Sequence, residues 1–315
     1  MSRLLSVFVI AICAIQKSDY TIFICAHKDF FGEYPNNRNL VLMHSYKNPR
    51  DYGLRTLDVS NDDFIKNHDM CYSECARIYY LWKHPDVITT EYIGICHYRR
   101  YFDFLFKKDA DTILNNIFKI NDIIIPKKEH FNGLNNYEEF CIDHNKTVID
   151  TCDYILKENY PDYYDSWLKF KNSKEAYYKN MFIMRKNDFM KYCNFLFDIV
   201  DKISDVINAH NDSDTPIFVK NEVLRGNYPS IKDENDISKI KYQSRLHGFL
   251  FERLSSLYFE HNFHGRIHEE KIINTETIIE KSKIKIQKSK YIIGFLCFIF
   301  LIFISVLIVM KTKKK

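Results

Sequence analysis

The chain has 315 residues, 46% of them apolar, with 25 Phe and 22 Tyr, so it can bury one sizeable core or two smaller ones and is not disordered by composition. A formal net charge of +4 is too weak to argue for nucleic acid. The eight glycines form neither G-x-G-x-x-G nor G-x-x-x-x-G-K-[ST], and G-x-S-x-G and H-E-x-x-H are also missing. These absences exclude the dinucleotide fingerprint, the P-loop, the nucleophile elbow and the zincin helix.

In chain order, residues 1–18 carry Arg3 and then an apolar run from Leu4 to Ile15. That run has the length of a signal-peptide core and is too short to span a bilayer; an uncleaved anchor or a buried segment are the alternatives. "YTIFICAHKDF", from Tyr20, predicts a first strand that ends in His27 and Lys28. A loop rich in Asn, Pro and Tyr follows, to about Asp63. Apolar residues recur at helical spacing from His68 until Pro85 stops them. "VITTEYIGICHY" predicts a strand, Ala110–Ile120 a helix, and "NDIIIPKK" a short buried strand closed by Pro126. Residues 135–170 read as helical, aromatic and acidic. Met181–Met184 is a further strand, Phe189–Ile203 a helix, and His247–Phe263 an amphipathic helix ended near Gly265. Strands alternating with helices predict an α/β domain over residues 19–265 with a mostly parallel sheet.

From 266 to 290 charge rises and core residues thin, which reads as a basic stem. Tyr291–Met310 is twenty residues without a charge and predicts a transmembrane helix, followed by a basic tail at 311–315. With a signal peptide, this order predicts a single-pass type I protein of the endoplasmic reticulum or Golgi, its body luminal. Lys311 and Lys313 then resemble a dilysine retrieval signal, or an ordinary stop-transfer cluster. A retained N-terminus would instead give a tail-anchored cytosolic enzyme. Two N-x-[ST] sequons, at Asn145 and Asn211, offer glycosylation sites in a lumen.

In open α/β sheets ligands sit beyond the carboxyl ends of strands, where His27–Lys28 and "HYRRYF" (His97–Phe102) both fall. Arg presents a planar fork to phosphate oxygens, and His and Lys carry the same charge. Adjacent arginines read equally as surface or salt-bridge residues. If the segment stays extended past Cys96, His97, Arg99 and Tyr101 share one face, and alternation pairs Arg99 with His97. A diphosphate-bearing donor suits such a cluster. Glycosyl transfer from it requires cations or a metal at the leaving group, and often a carboxylate base. An Asp-x-Asp metal motif is poorly represented. Asp109-Ala-Asp111 opens a helix as an N-cap would, and Asp212-Ser-Asp214 sits in a polar loop. His261, His264 and His268 could share a helix face, but Gly265 interrupts it.

"IFICAHKDF", "IKNHDMCYSECARIYYLWKH", "YIGICHYRRYF", "DIIIPKK", "NMFIM" and "RLHGFLFERL" occur in the order and spacing of the domain-of-unknown-function 4422 family. The resemblance covers roughly Tyr20 to Asn262. It implies a nucleotide-sugar-binding α/β fold of the GT-A type and a glycosyltransferase moving a sugar from a nucleotide-sugar donor to a glycan or glycoconjugate acceptor. A non-catalytic luminal sugar-binding protein of the same fold is the alternative. Carried onto matching positions, the resemblance implies Glu252 and His97 as catalytic. It implies His27, Lys28, Asp58, Lys66, Asn67, Tyr98, Arg99 and Arg100 at the donor, with His144, Asn180 and Arg253 as acceptor contacts or support. Glu74, Trp82, Tyr101 and Gly248 match as well. For Glu252 the other reading is a helix residue paired with Arg253 or Arg245. "LDVSNDDFIKN" departs from the family's acidic loop, so Asp58, Asp62 and Asp63 are approximate equivalents, and a Mn or Mg ion is not indicated by a clear motif. The implied partners are the nucleotide sugar, the acceptor and, through 291–310, the membrane.

Overall fold

A computed structural model describes residues 19–276. The signal-like run, residues 277–290 of the expected stem, the apolar run 291–310 and the basic tail lie outside the described residues. Among those described, no helix is long and apolar enough to cross a membrane.

The centre is a parallel run. β1 (Tyr20–Ala26) lies between β2 (Leu40–His44) and β4 (Tyr92–His97), and β3 (Arg55–Asp58) follows β2. β1 and β2 are buried at every position, as near-continuous apolar strands covered on both faces should be. On the other side, antiparallel β9 (Phe182–Arg185) joins β4 to β6 (Ile123–Pro126), which pairs in parallel with β10 (Ile267–Glu270). Gly94 of β4 is in register with Ile22 and Ile183. A Cβ there would come 3.0 Å from both side chains, so glycine is what lets three central strands close up.

Alternation along the strands divides the core in two. Phe23, Ile93, Ile95, Ile123 and Phe182 face a thick helical layer, while Ile22, Ile24, Cys96, Ile124 and Ile183 face the other side. The thick layer holds α1 (Asp63–Tyr72), α2 (Cys75–Lys83), α4 (Asn136–Asp143), α5 (Lys146–Asn159), α6 (Pro161–Asn172), α7 (Lys186–Ile207) and α10 (Leu246–Asn262). α3 (Ala110–Ile117) covers the opposite face. α8 (Asp214–Leu224) and α9 (Ile237–Gln243) build a small lobe around Val219, Tyr228 and Ile240. A two-stranded ribbon, β7 (Glu129–His130) with β8 (Glu175–Ala176), lies apart.

The α/β architecture read from the sequence is what the chain adopts, with four departures. The expected loop before Asp63 contains β2 and β3. The expected helix from His68 to Pro85 is two helices, because Ser73 turns to φ 55° between them. "YIGICHYRRYF" does not stay extended. β4 ends at His97, Tyr98 and Arg99 turn, and β5 (Arg100–Phe102) returns antiparallel with His97 opposite Arg100. Finally, the first part of the supposed stem belongs to the sheet: β10 pairs with β6, and β11 (Ile272–Asn274) pairs with β5.

Candidate active site

β1 and β4 run side by side with Cys25 opposite His97, so both chains leave the sheet at the same edge. A cleft of about 680 Å³ opens there. β1 contributes His27 and Lys28; the hairpin contributes His97, Tyr98, Arg99 and Arg100. The α1–α2 turn adds Asp69, Ser73, Glu74 and Arg77, and the C-terminal helices add Lys241, Arg245 and Glu252. Six Lys and Arg side chains face four carboxylates around this cleft, Asp212 being the fourth, so it favours anions.

The carboxylates are largely spoken for. Asp69 pairs with buried Arg77 at 2.7 Å and accepts from Ser45. Asp212 accepts from the amides of Met70 and Cys71 at 3.0 and 2.8 Å. Glu74 accepts from Asn180 at 2.8 Å and lies 3.8 Å from His97 Nε2. The cations are less engaged. Arg77 and Arg99 are paired, the latter with Glu276 at 2.9 Å. The Arg100 side chain makes no hydrogen bond or ion pair with a described residue, and the Lys28 ammonium only lies over the Tyr98 ring, at 5.8 Å. Burial lowers the Arg100 pKa, and neighbouring Arg99 lowers it further. A cation held in that state gains by meeting a dianion.

At the inner end, one backbone segment organises two titratable groups. His97 Nε2–H donates to the Lys179 carbonyl oxygen at 2.6 Å, and the Lys179 amide donates to Glu252 Oε1 at 3.0 Å. Lys179 and Asn180 hold φ of 85° and 47°, conformations that non-glycine residues adopt where surrounding structure imposes them. Asn180, buried, bridges Glu74 and Ser255. Burial holds His97 below the ordinary imidazole range against the pull of Glu74, so the ring is neutral with its proton on Nε2. Burial alone would raise Glu74, but the charge of His97 in its protonated form, the Asn180 bond and the Arg245 guanidinium bring it below the usual value. Glu252 is raised, first by burial and then by the charge of Glu74, with Arg253 opposing. Two carboxylates with pKa values pushed apart is the pattern of distinct acid–base roles.

Of the residues nominated from sequence, the cleft gathers His27, Lys28, His97, Tyr98, Arg99, Arg100 and Glu252. Asn180 and buried Arg253 support it; Arg253 pairs with Glu139 at 2.7 Å and Glu252 at 3.4 Å. The others lie elsewhere. Asp58 caps a turn through Ser60, exposed Lys66 folds back on Asn61 and Asp63, and Asn67 bonds within α1. His144 is buried against Phe249 and bonded to Gln243. Asp109 and Asp111 open α3, where Asp111 accepts from Tyr20. Trp82 stacks on Phe197 and donates to Asn194.

The sequon at Asn145 is corrected by its environment. Its side chain is 1% exposed, caps α5 and donates to Glu222, which leaves no room for a glycan in the folded chain. Asn211 is half-buried and caps the start of α8. Among the described residues no three His, Cys, Asp or Glu side chains converge as metal ligands.

Sequence reasoning gave no role to Glu74, named Arg245 only as a possible partner of Glu252, which pairs with Arg253 instead, and missed Lys241. Their signal was present: Arg245, Gly248 and Glu252 recur at helical spacing along one face.

An α/β protein with a cleft rich in Lys and Arg at the carboxyl ends of its central strands is the class these features define. The family model of a domain of unknown function, DUF4422, matches residues 21–217, and the chain belongs to that family. Among solved structures the chain is similar to the apo structure of the WbbM bifunctional glycosyltransferase, with a TM-score of 0.61 and 22% identity. The match covers 81% of this chain and 45% of WbbM, so the chain spans less than half of that protein. No curated protein matches.

Proposed function

We propose that the cleft is the active site of a glycosyltransferase that moves a sugar from a nucleotide-sugar donor to an acceptor hydroxyl. The observation that carries this reading is the juxtaposition of under-engaged cations, Lys28 and Arg100, with a carboxylate of raised pKa, Glu252. The likeness of the fold to that of WbbM supports it.

In this reading Lys28 and Arg100 hold the donor's diphosphate, joined by Arg99 once it exchanges Glu276 for phosphate oxygen. The acceptor oxygen bonds to the anomeric carbon as the bond from that carbon to the diphosphate oxygen breaks. The acceptor proton passes to Glu252, and the nucleoside diphosphate leaves with the bonding pair, its charge met by the cations. His97 orients the reacting sugar through Nδ1, which bonds to no described residue. A divalent cation, the other common neutraliser of a departing diphosphate, finds no converging set of three His, Cys, Asp or Glu ligands among the described residues.

A luminal, membrane-anchored setting remains part of the proposal, resting on residues 1–18 and 291–310; Asn211 is then the sequon open to a glycan. Purified full-length protein incubated with a panel of nucleotide sugars, with and without Mn²⁺, tests the reaction by release of nucleoside diphosphate. Release that disappears in Arg100→Ala and Glu252→Gln supports it. Binding of a donor without turnover would instead favour the non-catalytic alternative, and no donor binding at all would sink both.

A further inference from the structure

Two cations of the cleft have no task in that reaction. Lys241, in α9, and Arg245, between α9 and α10, both line it. Neither forms an ion pair with a described residue. Of the nearby carboxylates, Asp69 is taken up by Arg77, while Asp212 and Glu74, bonded by neutral amides, offset the two cations through space without pairing with them, Arg245 acting on Glu74 by charge alone.

Arg245 is nonetheless carefully placed. Its Nε donates to Ser73 Oγ at 3.0 Å, and its guanidinium lies over the Phe249 ring at 5.6 Å. Ser73 occupies a left-handed conformation at φ 55°. Gly248, one turn beyond Arg245, has no Cβ where one would come 3.0 Å from Ser73 Oγ. A strained serine and a helix glycine thus fix one edge of the guanidinium, and its terminal nitrogens hydrogen-bond to no protein group among the described residues. Arg245 and Glu252, seven residues apart, lie on the same face of the helix and about 10 Å apart along its axis.

We propose that Lys241 and Arg245 form a second anion subsite, which binds a phosphate or carboxylate group of the acceptor about 10 Å from the hydroxyl that Glu252 deprotonates. The word acceptor rests on the glycosyl-transfer reading. The anion-binding property does not.

The other source of such an anion is the donor diphosphate, and the experiment separates the two. Full-length protein is titrated calorimetrically with UDP, GDP and CDP, and then, saturated with the tightest of these, with inorganic phosphate. Phosphate should bind the saturated wild type. Lys241→Gln/Arg245→Gln should weaken phosphate by about tenfold or more, since each lost cation removes charge-assisted bonds. The same variant should keep its nucleoside diphosphate affinity within about twofold, as independent sites do. Arg100→Gln should show the reverse. Arg245→Lys, which keeps the charge without the fork, should recover part of the phosphate binding, and thermal melts check that each variant is folded. The proposal is overturned if phosphate fails to bind the saturated wild type. It is also overturned if the double variant loses nucleoside diphosphate as strongly as Arg100→Gln does. If no nucleoside diphosphate binds wild type, the donor reading fails, and phosphate titrated alone against the same variants still decides the subsite.

Discussion

His97 and Glu252 are joined through Lys179: the imidazole donates to its carbonyl oxygen at 2.6 Å, and its amide donates to the carboxylate at 3.0 Å. The strained peptides at Lys179 and Asn180 thereby set the tautomer of one group and the orientation of the other. The candidate catalytic groups come from β4 and α10, and neither needs to touch the other to be held in a common frame.

The two arginines of the hairpin should behave differently. Arg100→Ala removes a cation with no described partner and should weaken donor binding roughly 10- to 100-fold, the value of charge-assisted bonds to phosphate. Arg99 is tied to partly exposed Glu276, so Arg99→Ala should cost about threefold or less. Calorimetric titration with the preferred nucleoside diphosphate reads both. Equal losses would contradict the assignment.

Glu252→Gln should lower kcat by roughly 10²- to 10⁴-fold. Its effect on stability runs the other way. The folded pKa of Glu252 is raised, so the fold is favoured by its protonated form and loses that contribution as pH rises through the folded pKa. At pH 8 the glutamine variant should therefore melt at the same temperature as wild type or higher, and the difference should shrink toward pH 4. For the wild type, kcat/KM should fall as pH drops through a value above the ordinary glutamate range. An inactive variant that also melts lower at pH 8 would make Glu252 a structural residue.

Gly248→Ala weighs two opposed effects. Alanine gains about 1 kcal/mol over glycine within a helix. The new methyl would stand 3.0 Å from Ser73 Oγ, and such overpacking costs typically 1–3 kcal/mol. Because Ser73 is both strained and bonded to Arg245, the clash should win. Urea melts should show a net loss of stability, and phosphate affinity should fall in the same variant. A more stable variant would mean that the contact relaxes freely.

Two buried histidines predict acid sensitivity. Burial pushes His144 and His247 down to about 3 from an ordinary 6.5, with Arg253 adding to the effect on His144. A depressed folded pKa gives stability that is present above 6.5 and lost as pH falls toward 3. Between these values the two groups together should cost up to about 2.7 kcal/mol per pH unit. His144→Gln should roughly halve that slope in urea melts taken from pH 7.5 to 4.5.

The strand ends were legible because charge is rare at the end of a buried apolar run, which singles out His27–Lys28 and His97–Arg100 on sight. Their arrangement was not. The turn at Tyr98–Arg99 uses a dipeptide without Gly, Asn or Asp, so periodicity alone extended the strand and paired Arg99 with His97 instead of Arg100. Glu74 enters the cleft through the turn at Ser73, a break in an otherwise helical pattern imposed by tertiary packing. Asn145 showed the reverse failure. A sequon is a local string, whereas the burial of its side chain against Glu222 is decided 77 residues away.

β10 and β11 sit at residues whose composition suggested a tether. β10 covers β6, whose Ile123, Ile124 and Ile125 are fully buried. Cutting the chain at 217, where the family match ends, or at 265, would strip that cover and leave an open row of backbone donors and acceptors on a β-branched strand. Such an edge invites a second molecule to pair with it. The end strand of this sheet is thus the charged β10, with His268, Glu269 and Glu270, in place of the apolar β6, and a fragment that is to keep β6 covered has to run through β10.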